Sequence, residues 1–316
     1  MTKHVLLLVT GLILNASAAW AQMGYGKPKD VAAVKSQSLI VVLKDEEPSQ
    51  LKKLAKKPDE LADYKAYIAD HNIKMQELAP KLWHFSPSVE FRHATDLPAL
   101  RKVKGPQWGV LQHLDFVLSQ RHSMSGPSVA GAMNNYYYTS EQVSVVVVEV
   151  IGNGDQHQVW RVQIAPGPIY TSDLIFTIKT LQQYLQERAD GRSGRDMRAE
   201  LVKNGPKLRT KTLLFDEEDI KGQLTAADIK QAYPFPYQVV PRATIEAAVA
   251  DADTRYACVR LLPVAAGITA QVVIDAADGA LLGMSVPNRV RVMGIGGGSA
   301  IGKGNLKDFA QAASGR

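Results

Sequence analysis

In the segment His113-Leu114-Asp115 an imidazole and a carboxylate are separated by a single residue. If the segment is a strand, both side chains lie on one face, where the carboxylate can orient the imidazole as a general base. No Gly-x-Ser-x-Gly elbow or other recognisable serine nucleophile accompanies the pair. The pair therefore supports a periplasmic hydrolase only as an alternative to the binding function described at the end of this section. In such a hydrolase, His113 and Asp115 would act with a third group that the sequence does not identify.

The segment GIGGGSAIGKGN, residues 294–305, approaches a phosphate-binding P-loop. Residues 297–303 have the required spacing of Gly, four residues and Gly-Lys, but a glycine occupies the next position, where a P-loop has a magnesium-binding hydroxyl. The residues concerned are Gly294, Gly296, Gly297, Gly298, Gly302, Lys303 and Gly304. A flexible, structural loop before the last helix is the better interpretation, with a glycine-rich contact surface as the functional alternative. We expect no nucleotide and no other cofactor.

Histidine and cysteine residues do not predict a metal site. No pair of histidines has a recognised ligand spacing such as H-E-x-x-H. His84 and His93 flank a predicted strand of the first half, but Pro234 and Arg242 occupy the equivalent positions of the second half. Cys258 lies in the apolar run YACVRLL, which favours a buried and unreactive thiol.

Three consecutive aromatic residues, Tyr136, Tyr137 and Tyr138, suggest a contact surface. Tyrosine side chains give a large amphipathic contact area at low entropic cost. The same residues fit equally well at the start of the following strand, where they would pack internally. The sequence leaves both interpretations open.

Two distant segments, residues 83–100 and 233–249, resemble each other and indicate that the chain is built twice. The matches are Trp83 with Tyr233, Phe85 with Phe235 and, after a one-residue gap, Ala94 and Thr95 with Ala243 and Thr244. In both halves, aromatic residues follow the end of a predicted helix. A short extended segment comes next, and then a second helix that begins near the threonine. The sequence therefore predicts a tandem duplication.

Each half reads as a β-α-β-α-β unit followed by a β-hairpin and a terminal helix, which predicts an α/β (or α+β) fold. The apolar run 38–43 has the length of a strand that is buried on both faces. In the helix from Pro58 the apolar positions alternate three- and four-residue steps, with His71 at one of them. Hairpin turns are predicted at residues 152–155 and at Asp278-Gly279. A helical stripe is predicted at Leu174, Ile178, Leu181 and Leu185.

The N-terminal residues predict export. Lys3, an apolar block and the small-x-small pattern Ala19-Trp20-Ala21 predict a signal peptide over residues 1–21. We then expect a polar lead-in (22–37), a first module (38–190) with a surface insertion (123–141), a basic linker (191–211) and a second module (212–316). No later window is apolar enough for a membrane helix, so no transmembrane segment is expected in the mature chain.

Composition limits the classes of partner and the means of stabilisation. The chain has 37 basic and 31 acidic residues and a formal charge of +6. Its basic stretch 188–211 has no interleaved aromatic residues, which argues against nucleic acid as a partner. Because Cys258 is the only cysteine, no internal disulfide is possible, and stability must come from burial of the 46% hydrophobic residues.

The segment YQVVPRATIEAAV, residues 237–249, resembles the strand-then-helix signature of the α/β modules in TolB-like and curli-assembly-type envelope proteins. KLWHFS, residues 81–86, resembles a group of uncharacterised exported bacterial proteins that are also duplicated. These resemblances imply an exported, non-catalytic binding or assembly protein of the bacterial envelope, periplasmic or extracellular, whose partner is another envelope or secreted protein. They bring no catalytic residues with them.

Overall fold

The computed structural model describes residues 26–105, 107–123, 136–192, 202–220, 224–265, 268–285 and 300–315. The predicted signal peptide and Gly294 to Gly298 lie outside these ranges. Within them, no helix has both the length and the apolar character needed to cross a membrane.

The first module extends from helix α1 to helix α5. Its elements are α1 (Pro28–Ser36), β1 (Leu39–Leu43), α2 (Pro48–Leu54), α3 (Pro58–Leu82), β2 (Val89–His93), α4 (Leu97–Lys102), β3 (Trp108–Ser123), β4 (Tyr136–Gly152), β5 (Asp155–Ile164) and α5 (Thr171–Ala189).

The second module repeats this order from β1 onward, and most of its elements are shorter. They are β6 (Thr212–Asp216), α6 (Glu217–Ile220), α7 (Ala226–Ala232), β7 (Tyr237–Val240), α8 (Arg242–Ala250), β8 (Tyr256–Ala265), β9 (Ile268–Asp275), β10 (Leu281–Ser285) and α9 (Lys303–Ala313).

The two five-stranded sheets have the same topology. Their strand orders are β2-β1-β3-β4-β5 and β7-β6-β8-β9-β10, and in each sheet the first three strands are parallel and the last two antiparallel. Leu39 pairs with Val89 and Gly109, as Leu213 pairs with Tyr237 and Ala257. The predicted duplication of an α/β unit is therefore confirmed.

Burial explains why these segments form these elements. All five residues of β1 are buried, as expected for a central parallel strand covered by helices on both faces. The predicted stripe of α5, from Leu174 to Leu185, is fully buried. Asn153 and Gly154 both have positive φ, 58° and 86°, and form the predicted tight turn between β4 and β5.

Two segments that the sequence suggested were polar connections belong to the cores instead. In the predicted lead-in, α1 buries Val31 and Val34, and a side chain on Gly109 would collide with Val34. In the predicted linker, a 3-10 turn (Gly205–Arg209) buries Leu208, and Gly205 lies against the backbone of Ala312 in α9. Both segments directly precede the first strand of a module and contact its last helix, so they are also repeated elements.

The insertion predicted at 123–141 also needs correction, because β3 extends to Ser123 and β4 begins at Tyr136. These two strands have 16 and 17 residues, whereas β8 and β9 of the second module have 10 and 8. Much of the extra length is therefore a long antiparallel hairpin rather than a loop.

The modules pack head to tail through α5. On one side α5 contacts α3 and β5 of its own module, as α9 contacts α7 and β10 in the second module. On its other side α5 contacts α8, and one continuous core includes Ile175 of α5 and Leu214, Ile245 and Cys258 of the second module. The opposite face of the second sheet forms a separate core with α7 and α9.

Candidate functional site

The carboxyl end of β1 is the position in the first module where the order of the strands reverses. From β1 the chain passes to β2 on one side and then crosses to β3 on the other. Side chains of α3 cover one face of β1 and side chains of α4 cover the other. In open α/β sheets, ligands commonly bind in the crevice that this reversal creates.

Six polar side chains meet at this point, and we call them the switch-point cluster. Lys44 follows β1, two residues come from α3, two from β3 and one from β4. The members are Lys44, Tyr67, His71, His113, Asp115 and Ser144. The predicted pair His113 and Asp115 is therefore brought together, and a serine lies beside it.

Asp115 is the anion of the cluster. Its carboxylate accepts hydrogen bonds from Lys44 Nζ at 2.7 Å, Tyr67 Oη at 3.1 Å and Ser144 Oγ at 2.7 Å. Partial burial opposes its ionisation, but hydrogen bonds from His113 and Lys44 outweigh burial and hold the pKa of Asp115 well below its usual value. Burial and the Asp115 charge together raise the pKa of Tyr67, so its hydroxyl remains a donor.

Ser144 contacts both the imidazole and the carboxylate, and His113 Nε2 and Asp115 Oδ1 are themselves 3.3 Å apart. His113 Nε2 is 2.7 Å from Ser144 Oγ, and Ser144 is fully buried. A serine hydroxyl has a single proton, and here it is donated to Asp115, so Nε2 of His113 must carry the proton that Ser144 accepts. In a serine hydrolase the histidine instead lies between the serine and the acid and removes the serine proton.

A second buried imidazole stacks on the first. The rings of His71 and His113 are 5.1 Å apart at an interplanar angle of 26°. Burial, together with the charges of the nearby His113 and Lys44, lowers the pKa of His71 to about 3. Burial also lowers the pKa of His113. Among the described residues, His71 Nε2 and His113 Nδ1 have no hydrogen-bond partner, and because both pKa values are lowered from the ordinary value, both rings are neutral at pH 7.

The junction between the modules contains a different polar group, which we call the junction network. Arg260 of β8 is buried and forms an ion pair with Asp173 of α5, and its other terminal nitrogen is 3.7 Å from Glu246 of α8. Glu246 also accepts hydrogen bonds from the backbone N and the hydroxyl of Ser172. Burial lowers the pKa of Arg260 to about 10. The network is structural in position, since it joins α5 to the second module.

The carboxyl end of β6 is the second module's counterpart of the switch point, but it has different side chains. Arg242 lies 2.5 Å from Asp216 and 3.5 Å from Asp219. Burial raises the pKa of Asp219 to about 6, against the opposing effect of Arg242. In the register, Leu261 occupies the strand position equivalent to His113. The histidine and serine chemistry is therefore specific to the first module.

The other predicted site residues lie elsewhere. The backbones of Tyr136, Tyr137 and Tyr138 pair with Ser123, His122 and Arg121 at the start of β4, so these tyrosines belong to a strand. Cys258 is fully buried, and burial raises the pKa of its thiol to about 12, which makes it a poor nucleophile. Within the described ranges, no three His, Cys, Asp or Glu side chains lie close enough together to hold a metal ion.

The described part of the glycine-rich segment is held by its own side chains. Lys303 is the first residue of α9, and its Nζ is 2.8 Å from Asp228. Asn305 accepts from Gly302 N and donates to Gln271 and Ser285. The charge that a phosphate would need is thus already engaged by a carboxylate.

Neither a protein-family model, nor a curated protein, nor a solved structure matches this chain.

Proposed function

We propose that the chain is an exported, non-catalytic binding or assembly protein of the bacterial envelope, which captures an extended segment of another envelope or secreted protein. The observation that carries the proposal is the long hairpin of β3 and β4. We call its distal part, residues 116–123 of β3 and 136–143 of β4, the ribbon.

The ribbon extends beyond the sheet. β1 pairs with β3 only at residues 109–111, and β5 pairs with β4 only at residues 144–152. Within the ribbon the two strands pair with each other, and no other described strand pairs with either outer edge. Free strand edges present rows of backbone donors and acceptors, to which an extended peptide can add as a further strand.

Apolar side chains on the ribbon and at its base support the same interpretation. Phe116 is 38% exposed and Val117 is 65% exposed, and these neighbours lie on opposite faces of β3. Leu114, at the base, is 37% exposed. A two-stranded ribbon in water is marginally stable. A partner that covers these side chains and pairs with an edge would stabilise it, so the partner segment should itself alternate apolar and polar residues.

A photo-crosslinking experiment tests this function. The experiment replaces Val117 with a photoreactive phenylalanine analogue in the host bacterium. The analogue should crosslink to a partner, and mass spectrometry then identifies the crosslinked segment. On addition of the purified partner, backbone hydrogen exchange should slow in residues 112–123 and 136–143. Val117→Lys should weaken binding by at least ~10-fold, because a charge interrupts the apolar contact.

Val239 provides the matched control, since it is an exposed apolar residue (42%) on the edge strand β7 of the second module. Val239→Lys should leave binding unchanged, and the analogue at position 239 should not crosslink to the same partner. Equal crosslinking from both positions, or crosslinks only to a second copy of this chain, would contradict the proposal.

A hydrolase is the second candidate, and the 2.7 Å contact between His113 and Ser144 is the observation that favours it. The order of the contacts and the full burial of Ser144 oppose it, because a substrate carbonyl cannot reach the hydroxyl. We therefore expect a fluorophosphonate probe to leave the folded chain unlabelled. Labelling that disappears in Ser144→Ala but persists in Ser140→Ala, at an exposed position of β4, would establish the hydrolase instead.

A further inference from the structure

A groove of about 800 Å³ follows the C-terminal half of α5. The end of α3 forms one wall, and the turn between β9 and β10 forms the other. The groove thus lies where the two modules meet, a common location for ligand sites. Its lining includes Lys81, His84, Lys179, Gln183, Glu187 and Asp278.

The carboxylates of the groove are already engaged by neighbouring groups. Glu187 forms an ion pair with Arg192 at 2.9 Å. Asp190 accepts from the side chain of Gln186 at 2.8 Å, and Asp278 accepts from the backbone N of Ala280 at 2.8 Å. Each carboxylate of the groove therefore already has a partner on this chain.

Several hydrogen-bond donors of the groove, in contrast, have no partner in the described ranges. Within the described part of the chain, the Lys81 ammonium, the His84 ring and the Gln183 amide have no hydrogen-bond or ion-pair partner. Lys179 Nζ has one hydrogen bond, 3.3 Å long, to the carbonyl of Ala277. Burial lowers the pKa of Lys179, although the nearby Asp278 and Asp275 favour its charged form. A partly desolvated ammonium with a single long hydrogen bond gains most from an anion.

We propose that this groove binds a ligand that carries carboxylate groups. Lys179 would receive one carboxylate at the floor of the groove and Lys81 a second one at its rim. The unpartnered amide of Gln183 adds a neutral donor and acceptor beside them, which suits a peptide bond or a hydroxyl group. An acidic peptide and a small polycarboxylate share this chemistry.

Fluorescence anisotropy with fluorescein-labelled pentaglutamate, and competition by citrate, test the proposal on the mature chain at low ionic strength. Saturable binding is expected with a dissociation constant below about 1 mM. Lys179→Met and, separately, Lys81→Met should each weaken it by at least ~10-fold. Lys81 is exposed, so its variant tests the site even if Lys179→Met fails to fold.

Lys102→Met, at an exposed position of α4, is the control for the general attraction of a basic chain to anions. It should leave binding unchanged. Competition by citrate identifies a small polycarboxylate as sufficient, whereas binding of pentaglutamate without competition identifies a peptide. No saturation below about 1 mM, or an equal loss in Lys102→Met, would overturn the proposal. Neither result bears on the ribbon, whose test uses a different partner and different variants.

Discussion

Replacement of Arg260 by methionine is expected to lower the free energy of unfolding by ~3 to 5 kcal/mol, the loss typical of a broken buried ion pair. Arg260 is 4% exposed and forms an ion pair with Asp173, which is 6% exposed. Methionine fills similar space but leaves the Asp173 carboxylate buried without its cation. Urea denaturation of the mature chain at neutral pH, followed by circular dichroism, measures the change.

Arg255→Met is the matched control for this experiment. Arg255 precedes the same strand and forms an ion pair with Asp253, but its side chain is 74% exposed. Exposed pairs contribute little, so the loss should be much smaller than that of Arg260→Met. Adding Asp173→Asn to Arg260→Met should recover part of the stability, because the unpaired charge is removed. Equal losses from the two arginine variants would show that the junction network does not hold the modules together.

We also expect the free energy of unfolding to fall in acid because of His71. Its pKa is lowered to about 3 in the folded chain, whereas an unperturbed histidine has a pKa of ~6.5. Between these values the unfolded chain binds a proton that the folded chain does not. The folded state is therefore fully favoured above ~pH 6.5 and loses stability as the pH falls toward 3. The expected loss at about pH 4.5 is ~2 to 3 kcal/mol from His71 alone.

The contribution of His71 must be measured as the difference between a variant and the unchanged chain, because Asp219 stabilises the folded chain as the pH falls. Its folded-state pKa is raised to about 6, so the folded chain binds a proton more readily than the unfolded chain between ~pH 6 and 4 and gains stability there. His71→Gln isolates the histidine: between about pH 7.5 and 4.5 the variant should lose ~2 to 3 kcal/mol less than the unchanged chain. His84→Gln, at an exposed position, should behave like the unchanged chain. Parallel pH dependence of all three proteins would rule out this role for His71.

The order of elements was predictable from the sequence because local signals and the duplication agreed. The stripe of α5 and the Asn153-Gly154 turn each follow from short-range rules of periodicity and backbone conformation. Strand order was harder, but two copies with one order of elements made one shared topology the simplest expectation. The exact register was not predictable, because the strand pairing makes Ala94 the counterpart of Arg242 and not of Ala243, one residue away from the match in the sequence.

The candidate sites depended on contacts that no local pattern reveals. Ser144 begins the apolar run SVVVV, and only the register of β4 against β3 brings it to Asp115. Val31 and Leu208 lie in short polar segments whose burial depends on the last helix of each module. The one available signal was a polar residue at a buried strand position, as Ser144 is. That signal identifies burial but not the partner.

Head-to-tail packing through α5 has a consequence for assembly. Because the contact between the modules joins two different faces, each chain still has one free face of each type. The same contact, repeated between chains, would produce a filament. The two outermost helices oppose this. Lys307 and Gln311 are exposed on α9, the counterpart of α5, and Arg101 and Lys102 are exposed on α4, the counterpart of α8. Polar residues on terminal units limit the growth of stacked arrays, and the exposed Lys307, Arg101 and Lys102 place positive charge on both of these helices, which opposes contact between chains.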